Sequence, residues 1–377
     1  MKVFKKLNAE MHTTEENITF RILSAFGIVF VVMGHLNCKI FEFDSWFPYY
    51  SFHMALFAFI SGYFYSSKYD MDVISFFIKK TKTILIPFYL ISLFYLVLHT
   101  FLTHYGVAFG SLFSIYNWLI RPWIRCQPAG FNIATWYMIA LYMAEIIYVI
   151  IRAIFNIISS SRLKDFLFFF FLLITAAMVI YYSPYSEEWQ AVLLRPLFLC
   201  FFCHLGFCYR TYIENRFKLR ASFLLTIVFI CRLLLITLFG KCEYGLYGCD
   251  FNGLPWWVVI ASSCLGITFW LCIAQLITPI TSKDGIIVKI GRHTREIMAH
   301  HLFATFVFHG LLYFILKIIC HISIFDISLM KNNLYFTYTP WNGFSLITVI
   351  ISIGSILLAI FLKQKIIGIV RRFFNRE

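Results

Sequence analysis

WNGFSLITVIISIGSILLAIFLKQK, residues 341–365, opens on a tryptophan, runs through an uncharged Ile/Leu-rich stretch and closes on Lys363 and Lys365, with Arg371 and Arg372 just beyond. A bilayer core takes about 20 predominantly apolar residues in a helix, with aromatic and basic residues settling at its interfaces. The stretch therefore predicts a membrane-spanning helix over 341–362. Nine more runs of this kind fall near 22–38, 50–67, 83–102, 134–151, 166–182, 191–209, 221–240, 255–279 and 296–319. The chain of 377 residues is 61% hydrophobic and 13% charged, whereas a soluble domain carries about 25% charged residues. The expected fold is an all-α integral membrane protein, a bundle of about ten transmembrane helices. It is expected to form one domain over 1–377 with no appended soluble domain. The first run has no small-residue cleavage site after it, so it reads as a span rather than a cleaved signal peptide.

The net charge is +14. In a soluble protein that balance points to nucleic acid, but here the charges lie between apolar runs and no nucleic-acid partner is expected. With the N-terminus inside, alternate segments carry 24 of the 32 Lys and Arg residues. The opposite loops carry five (Lys39, Arg121, Arg125, Lys241, Lys331), and Arg195, Arg232 and Lys317 fall within spans. This bias predicts both termini in the cytoplasm and an even number of helices. The long outer loop 103–133 holds Pro122, Pro128, Gly130, Trp118 and Trp123. It is expected to lie on the membrane or to fold back over a site. Most cysteines sit inside apolar runs as small hydrophobes, and no pair has zinc-ligand spacing with a matching second pair. Cys242 and Cys249 share one loop, where spacing leaves a disulfide open.

Polar side chains at membrane depth are costly and point to function. The first span reads RILSAFGIVFVVMGH, Arg21 to His35. Ser24 and His35 are eleven residues apart, about three turns, so they share a face, and Arg21 lies about 20 Å from His35 along the axis. The second span opens YSFHMALFAFISGYFYS, residues 50–66, with His53 at the depth of His35 and Ser61-Gly62-Tyr63 toward the other end. Gly62 there permits close helix packing. Glu145 and Arg232 are expected to pair within the bundle and Gln275 to bond between helices. His99, His104, His204, His309 and His321 are read as structural.

A first-helix histidine followed by FHM-x-LF-x-F-x-SGYF resembles the membrane acyltransferase-3 family, and within it the sugar O-acetyltransferase, fucose 4-O-acetylase-like branch. The basic loop FIKKTKTILIPFY (77–89) is similar to the family's basic run ending in LLIPYL. Thr135-Trp136-Tyr137 with Glu145 resembles its WF-x-x-x-LF segment. KIGRHTREIMAHHLF (289–303) resembles its late IGKNSL-x-x-x-x-x-H-L segment, and that spacing puts the family histidine at His301 rather than His300. Two departures remove positive charge. Ser24 stands where the family has Arg or Lys eleven residues before the histidine, and Thr83 where it has the second Arg of its basic loop. Arg21 and Lys82 are the neighbouring cations.

The resemblance implies an O-acetyltransferase in the bacterial cytoplasmic membrane, embedded in lipid. Its partners would be acetyl-CoA, as donor rather than bound cofactor, and a sugar hydroxyl of a cell-envelope polysaccharide or its lipid-linked precursor. Deprotonating a hydroxyl calls for a base, and histidine suits neutral pH. His35 is the candidate base, with His53 assisting. Arg21, Lys79, Lys80, Lys82, Ser61, Trp136, Arg292 and His301 are the candidate substrate- or CoA-binding residues, and no metal is expected. No nucleophile elbow is present, so direct transfer is expected. An envelope glycan polymerase or ligase and a polysaccharide transporter are the alternatives. The two arginines of loop 103–133 weigh against the first, and the lack of paired repeats against the second. A family member that only binds ligand is motivated by Ser24 and Thr83 and opposed by His35, His53 and His301.

Overall fold

The computed structural model describes residues 16–374 apart from 39–45, 126–129, 159–161, 186, 188, 215, 217–219, 323–324 and 342. Lys39 and Pro128 lie outside the described residues. The described chain is all-α, an integral membrane bundle. Its helices are α1 (Ile18–His35), α2 (His53–Tyr63), α3 (Val73–Lys80), α4 (Ile86–Thr103), α5 (Arg121–Arg125), α6 (Trp136–Ile158), α7 (Arg162–Tyr182), α8 (Ala191–Cys208), α9 (Ala221–Phe239), α10 (Trp256–Ile277), α11 (Ile286–Arg292), α12 (Thr294–Tyr313), α13 (Ile327–Asn332) and α14 (Phe344–Phe374).

Among the described residues, nine helical segments are long and apolar enough to cross a membrane. They match nine of the ten expected runs. The run at 83–102 extends back to Val73, because α3 and α4 join through a π-helical turn at Thr81–Leu85. The tenth, 50–67, is a correction. Only eleven residues, His53–Tyr63, are α-helical, about 16 Å of rise. Pro48 precedes a 3₁₀ turn at Tyr49–Ser51, which ends where α2 begins. A half-length helix at this depth is tolerated because protein rather than lipid surrounds it, and nine of its residues are buried.

The crossing of α2 and α8 fixes that short helix. A Cβ on Gly62 would overlap the Cys203 carbonyl, so glycine is the residue that lets the two backbones meet. Tyr137 Oη donates to the Met54 carbonyl at 2.7 Å and ties α2 to α6. Gly62→Ala is expected to force the crossing apart, with an overpacking cost of about 1–3 kcal/mol or more. A lower melting temperature of the detergent-purified protein would register it.

The described part of loop 103–133 folds back along α4. Trp118 Nε1 donates to the Tyr89 carbonyl at 3.0 Å and Trp123 Nε1 to the Tyr89 hydroxyl at 2.5 Å. Tyr89 lies 14 residues before the end of α4, about 21 Å down its axis. Arg121, assigned outside on charge, therefore sits on a descending segment. The aromatic faces of Trp118 and Trp123 make that burial favourable.

At the end of the bundle near Arg21, one ionic network locks the entry to α3. Arg152 Nε donates to Asp70 at 2.8 Å and its Nη1 to Asp165 at 3.1 Å, and Lys164 lies 3.4 Å from Asp70. Tyr65 Oη donates to Asp70 at 2.7 Å. Gln275 bonds Tyr209 between helices as expected. Among the described residues, the Arg232 guanidinium bonds two backbone carbonyls, of Trp46 at 2.7 Å and Lys241 at 2.9 Å. Cys242 is a free thiol donating to the Gly240 carbonyl, so the disulfide open to its loop is not formed.

Candidate active site

The basic loop and the first two helices build one cavity of about 630 Å³. Its mouth is lined by Arg21 and Ser24 of α1, Lys79 and Lys80 of α3, Thr83 of the π turn, and Arg292 and Arg295 of the α11–α12 junction. Gly291 holds that junction against α1, since a Cβ there would overlap the Arg21 carbonyl. The cavity narrows past Ser61, Phe57, Tyr137 and Glu145 to Ile28 and Met298. Ile28 is seven residues from Arg21 and seven from His35, so the cavity reaches about 10 Å along α1 toward the histidine.

The cations at the mouth are counterbalanced. Glu16, before α1, bonds Arg21 at 2.7 Å and also pairs with Arg292. Arg292, with Arg21 beside it, holds the Glu16 carboxyl below the usual carboxylate range. Lys80 bonds the buried Glu145 at 2.5 Å, and Ser61 donates to the same carboxylate oxygen. Glu145 thus pairs within the bundle as expected, and its partner is a residue of the basic loop. The departures from the family pattern face the cavity but turn inward: Ser24 Oγ donates to the Phe20 carbonyl at 2.7 Å and Thr83 Oγ1 to the Lys79 carbonyl at 3.0 Å. Arg295, which the sequence did not single out, brings its guanidinium to the Thr83 carbonyl at 3.5 Å while pairing with Glu296 at 2.6 Å. Lys82 is exposed and does not line the cavity. The π turn rotates it away from the face carrying Lys79 and Thr83.

Beyond the inner end lie the histidines. Met298 lines the cavity, and one turn further along α12 stands His301, wholly buried. Its Nδ1 lies 3.0 Å from the carbonyls of Ile297 and Met298. Carbonyls only accept, so Nδ1 carries the proton and Nε2 keeps the lone pair. That Nε2 is buried without a hydrogen-bond partner. The His301 ring meets the His35 ring at 5.1 Å between centroids, edge to face. His301 was expected near the CoA pocket at the basic end; its ring instead belongs with His35. His300 turns elsewhere and bonds the Tyr95 hydroxyl at 2.7 Å.

His53 sits at the first residue of α2, its Nδ1 2.5 Å from the Tyr49 carbonyl, which leaves its Nε2 as the acceptor. The end of α1 abuts the same turn, with Gly34 against the rings of Tyr49 and Tyr50. Tyr50 packs on His53 at 5.2 Å, so the ends of α1 and α2 that carry His35 and His53 meet at this turn. Tyr335, from the loop before α14, lies 5.5 Å from the His35 ring. Tyr335 as a whole is 44% exposed, and desolvation local to its hydroxyl, with Tyr247 and Tyr50 adding to the effect, raises it to about 12. Trp136 belongs to this end as well. It packs on Tyr247 at 5.4 Å and is absent from the basic cavity. The structure thus gathers Arg21, Lys79, Lys80, Ser61 and Arg292 on one cavity, and His35, His53, His301 and Trp136 at the other end. Nothing in sequence spacing marks Tyr335 or Tyr247, which come from irregular loops. Arg195 was visible as a charge within a span.

A cationic mouth leading to paired imidazoles suits a long anionic donor whose reactive end must reach a base inside the membrane. Among the described residues, no cluster of three or more His, Cys, Asp or Glu is placed to hold a metal ion. No curated protein and no solved structure matches the chain. The family model described as an acyltransferase domain matches residues 20–364, a stretch that contains the basic mouth, all three histidines and Tyr335. On that match the chain belongs to this family, and it is a membrane acyltransferase.

Proposed function

We propose that the protein is an O-acetyltransferase that moves an acetyl group from cytosolic acetyl-CoA to a sugar hydroxyl of a cell-envelope polysaccharide or its lipid-linked precursor. In this reading it lies in the bacterial cytoplasmic membrane as a single domain, with both termini in the cytoplasm. The observation that carries it is the cavity itself, which runs from Arg21, Lys79, Arg292 and Arg295 to within one turn of His301. CoA is polyanionic at one end and carries its thioester on a long thin arm. Guanidinium and ammonium groups suit the phosphates, and the narrow channel suits the arm.

In the proposed reaction, His35 takes the proton of the acceptor hydroxyl as its oxygen attacks the thioester carbonyl. The tetrahedral intermediate collapses, the C–S bond breaks, and the imidazolium returns the proton to the departing thiolate. The ester and free CoA leave on opposite sides. The His301 ring, whose Nε2 has no hydrogen-bond partner among the described residues, lies edge to face with the His35 ring at 5.1 Å and in this reading supports the charge that ring acquires. It is a positioning group, because its own Nδ1 proton is committed to two carbonyls. His53, at the turn where α1 and α2 meet, serves the developing oxyanion once protonated, or orients the acceptor as a neutral ring.

Ester-linked acetyl released by mild base from envelope glycan tests the reading. Cells with the gene are expected to carry it and cells without the gene to lack it. Equal acetyl with altered glycan length would favour a polymerase instead. Glu16 makes a second prediction. It occupies two mouth cations that the donor's phosphates would use, so Glu16→Gln is expected to lower the KM for acetyl-CoA about two- to fivefold, the scale of a partly exposed ion pair. Because the Glu16 pKa is lowered, the clasp persists at neutral pH and is lost only as pH falls through that lowered value.

A further inference from the structure

Arg195 of α8 is a buried cation that, among the described residues, has no acid to balance it. It is 3% exposed. One Nη donates to the Tyr247 carbonyl. Its Nε and other Nη are buried with no hydrogen-bond partner, and no described carboxylate lies within ion-pair distance. Arg152, buried to the same degree, is held by Asp70 and Asp165. A desolvated guanidinium with two idle donors is costly unless something anionic completes it, and its planar fork suits an oxyanion. Its surroundings adjoin the histidines. The guanidinium lies 4.9 Å from the Tyr247 ring and 5.4 Å from the Trp136 ring. Tyr247 neighbours Tyr335, which meets His35 at 5.5 Å.

We propose that Arg195, Trp136, Tyr247 and Tyr335 form the acceptor subsite, and that the acceptor carries an oxyanion close to the hydroxyl that is acylated. The aromatic faces pack on the apolar face of the sugar ring, and the idle guanidinium donors bind a carboxylate or phosphate. The oxyanion is either the carboxylate of an acidic sugar or the phosphate joining the sugar to its lipid carrier. This rests on the reading of the acceptor as a sugar.

The full-length detergent-purified protein is titrated, without donor, with octyl glucoside, octyl glucuronide and a polyprenyl-phosphate-linked glucose, by calorimetry. Binding of one anionic probe at least tenfold tighter than the neutral glucoside is expected, and the probe that wins names the source of the charge. Arg195→Gln is expected to weaken that probe about ten- to a hundredfold and leave the neutral one unchanged, the scale of a charge-assisted hydrogen-bond pair. Arg195→Lys, which keeps the charge and loses the fork, is expected to fall between. Equal binding of all three probes by the unaltered protein overturns the proposal whether or not the variants fold, as does unchanged discrimination in Arg195→Gln. Acetyl transfer from acetyl-CoA is then measured separately. Its absence beside retained discrimination sinks the acetyltransferase reading and leaves the anion site standing.

Discussion

His35→Ala is expected to lower acetyl transfer by about a hundred- to ten-thousandfold, the range a positioned general base contributes. Its affinity for acetyl-CoA should stay close to that of the unaltered protein. The separation follows from distance. The cations at the mouth lie about 20 Å down α1 from His35, so removing the imidazole leaves the donor's phosphate contacts in place. The measurement is kcat and KM for the donor with purified protein, beside ester-linked acetyl in cells. A fall in donor affinity matching the fall in turnover would mean that His35 holds the donor rather than activating the acceptor.

Asp70→Ala is expected to produce the largest loss of stability, about 3–5 kcal/mol, because it leaves Arg152 and Lys164 short of an acid inside the protein. Asp70 accepts from both of them and from Tyr65. It stands immediately before α3, whose last turn carries Lys79 and Lys80. Tyr65 and Tyr69, on the same stretch, line the cavity. The substitution should appear as a lower midpoint of thermal unfolding and less extractable protein. What survives should keep a near-normal KM for the acceptor, because Asp70 lies at the far end from His35. Asp165 still faces Arg152 in this variant, so Asp70→Ala with Asp165→Ala should cost more than either alone.

The membrane helices were readable because lipid imposes a length and a composition that soluble folds do not. Nine of ten runs became long helices for that reason. The short α2 escaped because its neighbours supply the apolar surroundings, and run composition cannot tell protein from lipid. The return of 103–133 toward Tyr89 is a tertiary fact carried by the indole donors of Trp118 and Trp123, with no periodic signature. In the candidate site, Arg21 and His35 were legible because one helix carries both. Lys82 was misplaced by the π turn, which shifts the helical phase within the basic loop. Arg295 escaped because it lines the cavity only through the meeting of α12 with α3. Spacing singled out His301 over His300, but which ring it meets is decided by the path of α12 past α1, which spacing does not carry. Arg195 was visible by its charge within a span, yet only the lack of a described counter-ion gives that charge a meaning.

The most direct measurement places the purified protein in liposomes with one orientation, established by protease access to the basic end. Radiolabelled acetyl-CoA is supplied on one side at a time, with envelope glycan or its lipid-linked precursor as acceptor. Base-labile label on the acceptor, seen only when the donor is on the side of Arg21, Lys79 and Arg292 and lost with His35→Ala, is the predicted result. Label appearing with donor on the histidine side alone, or persisting in His35→Ala, would contradict the account.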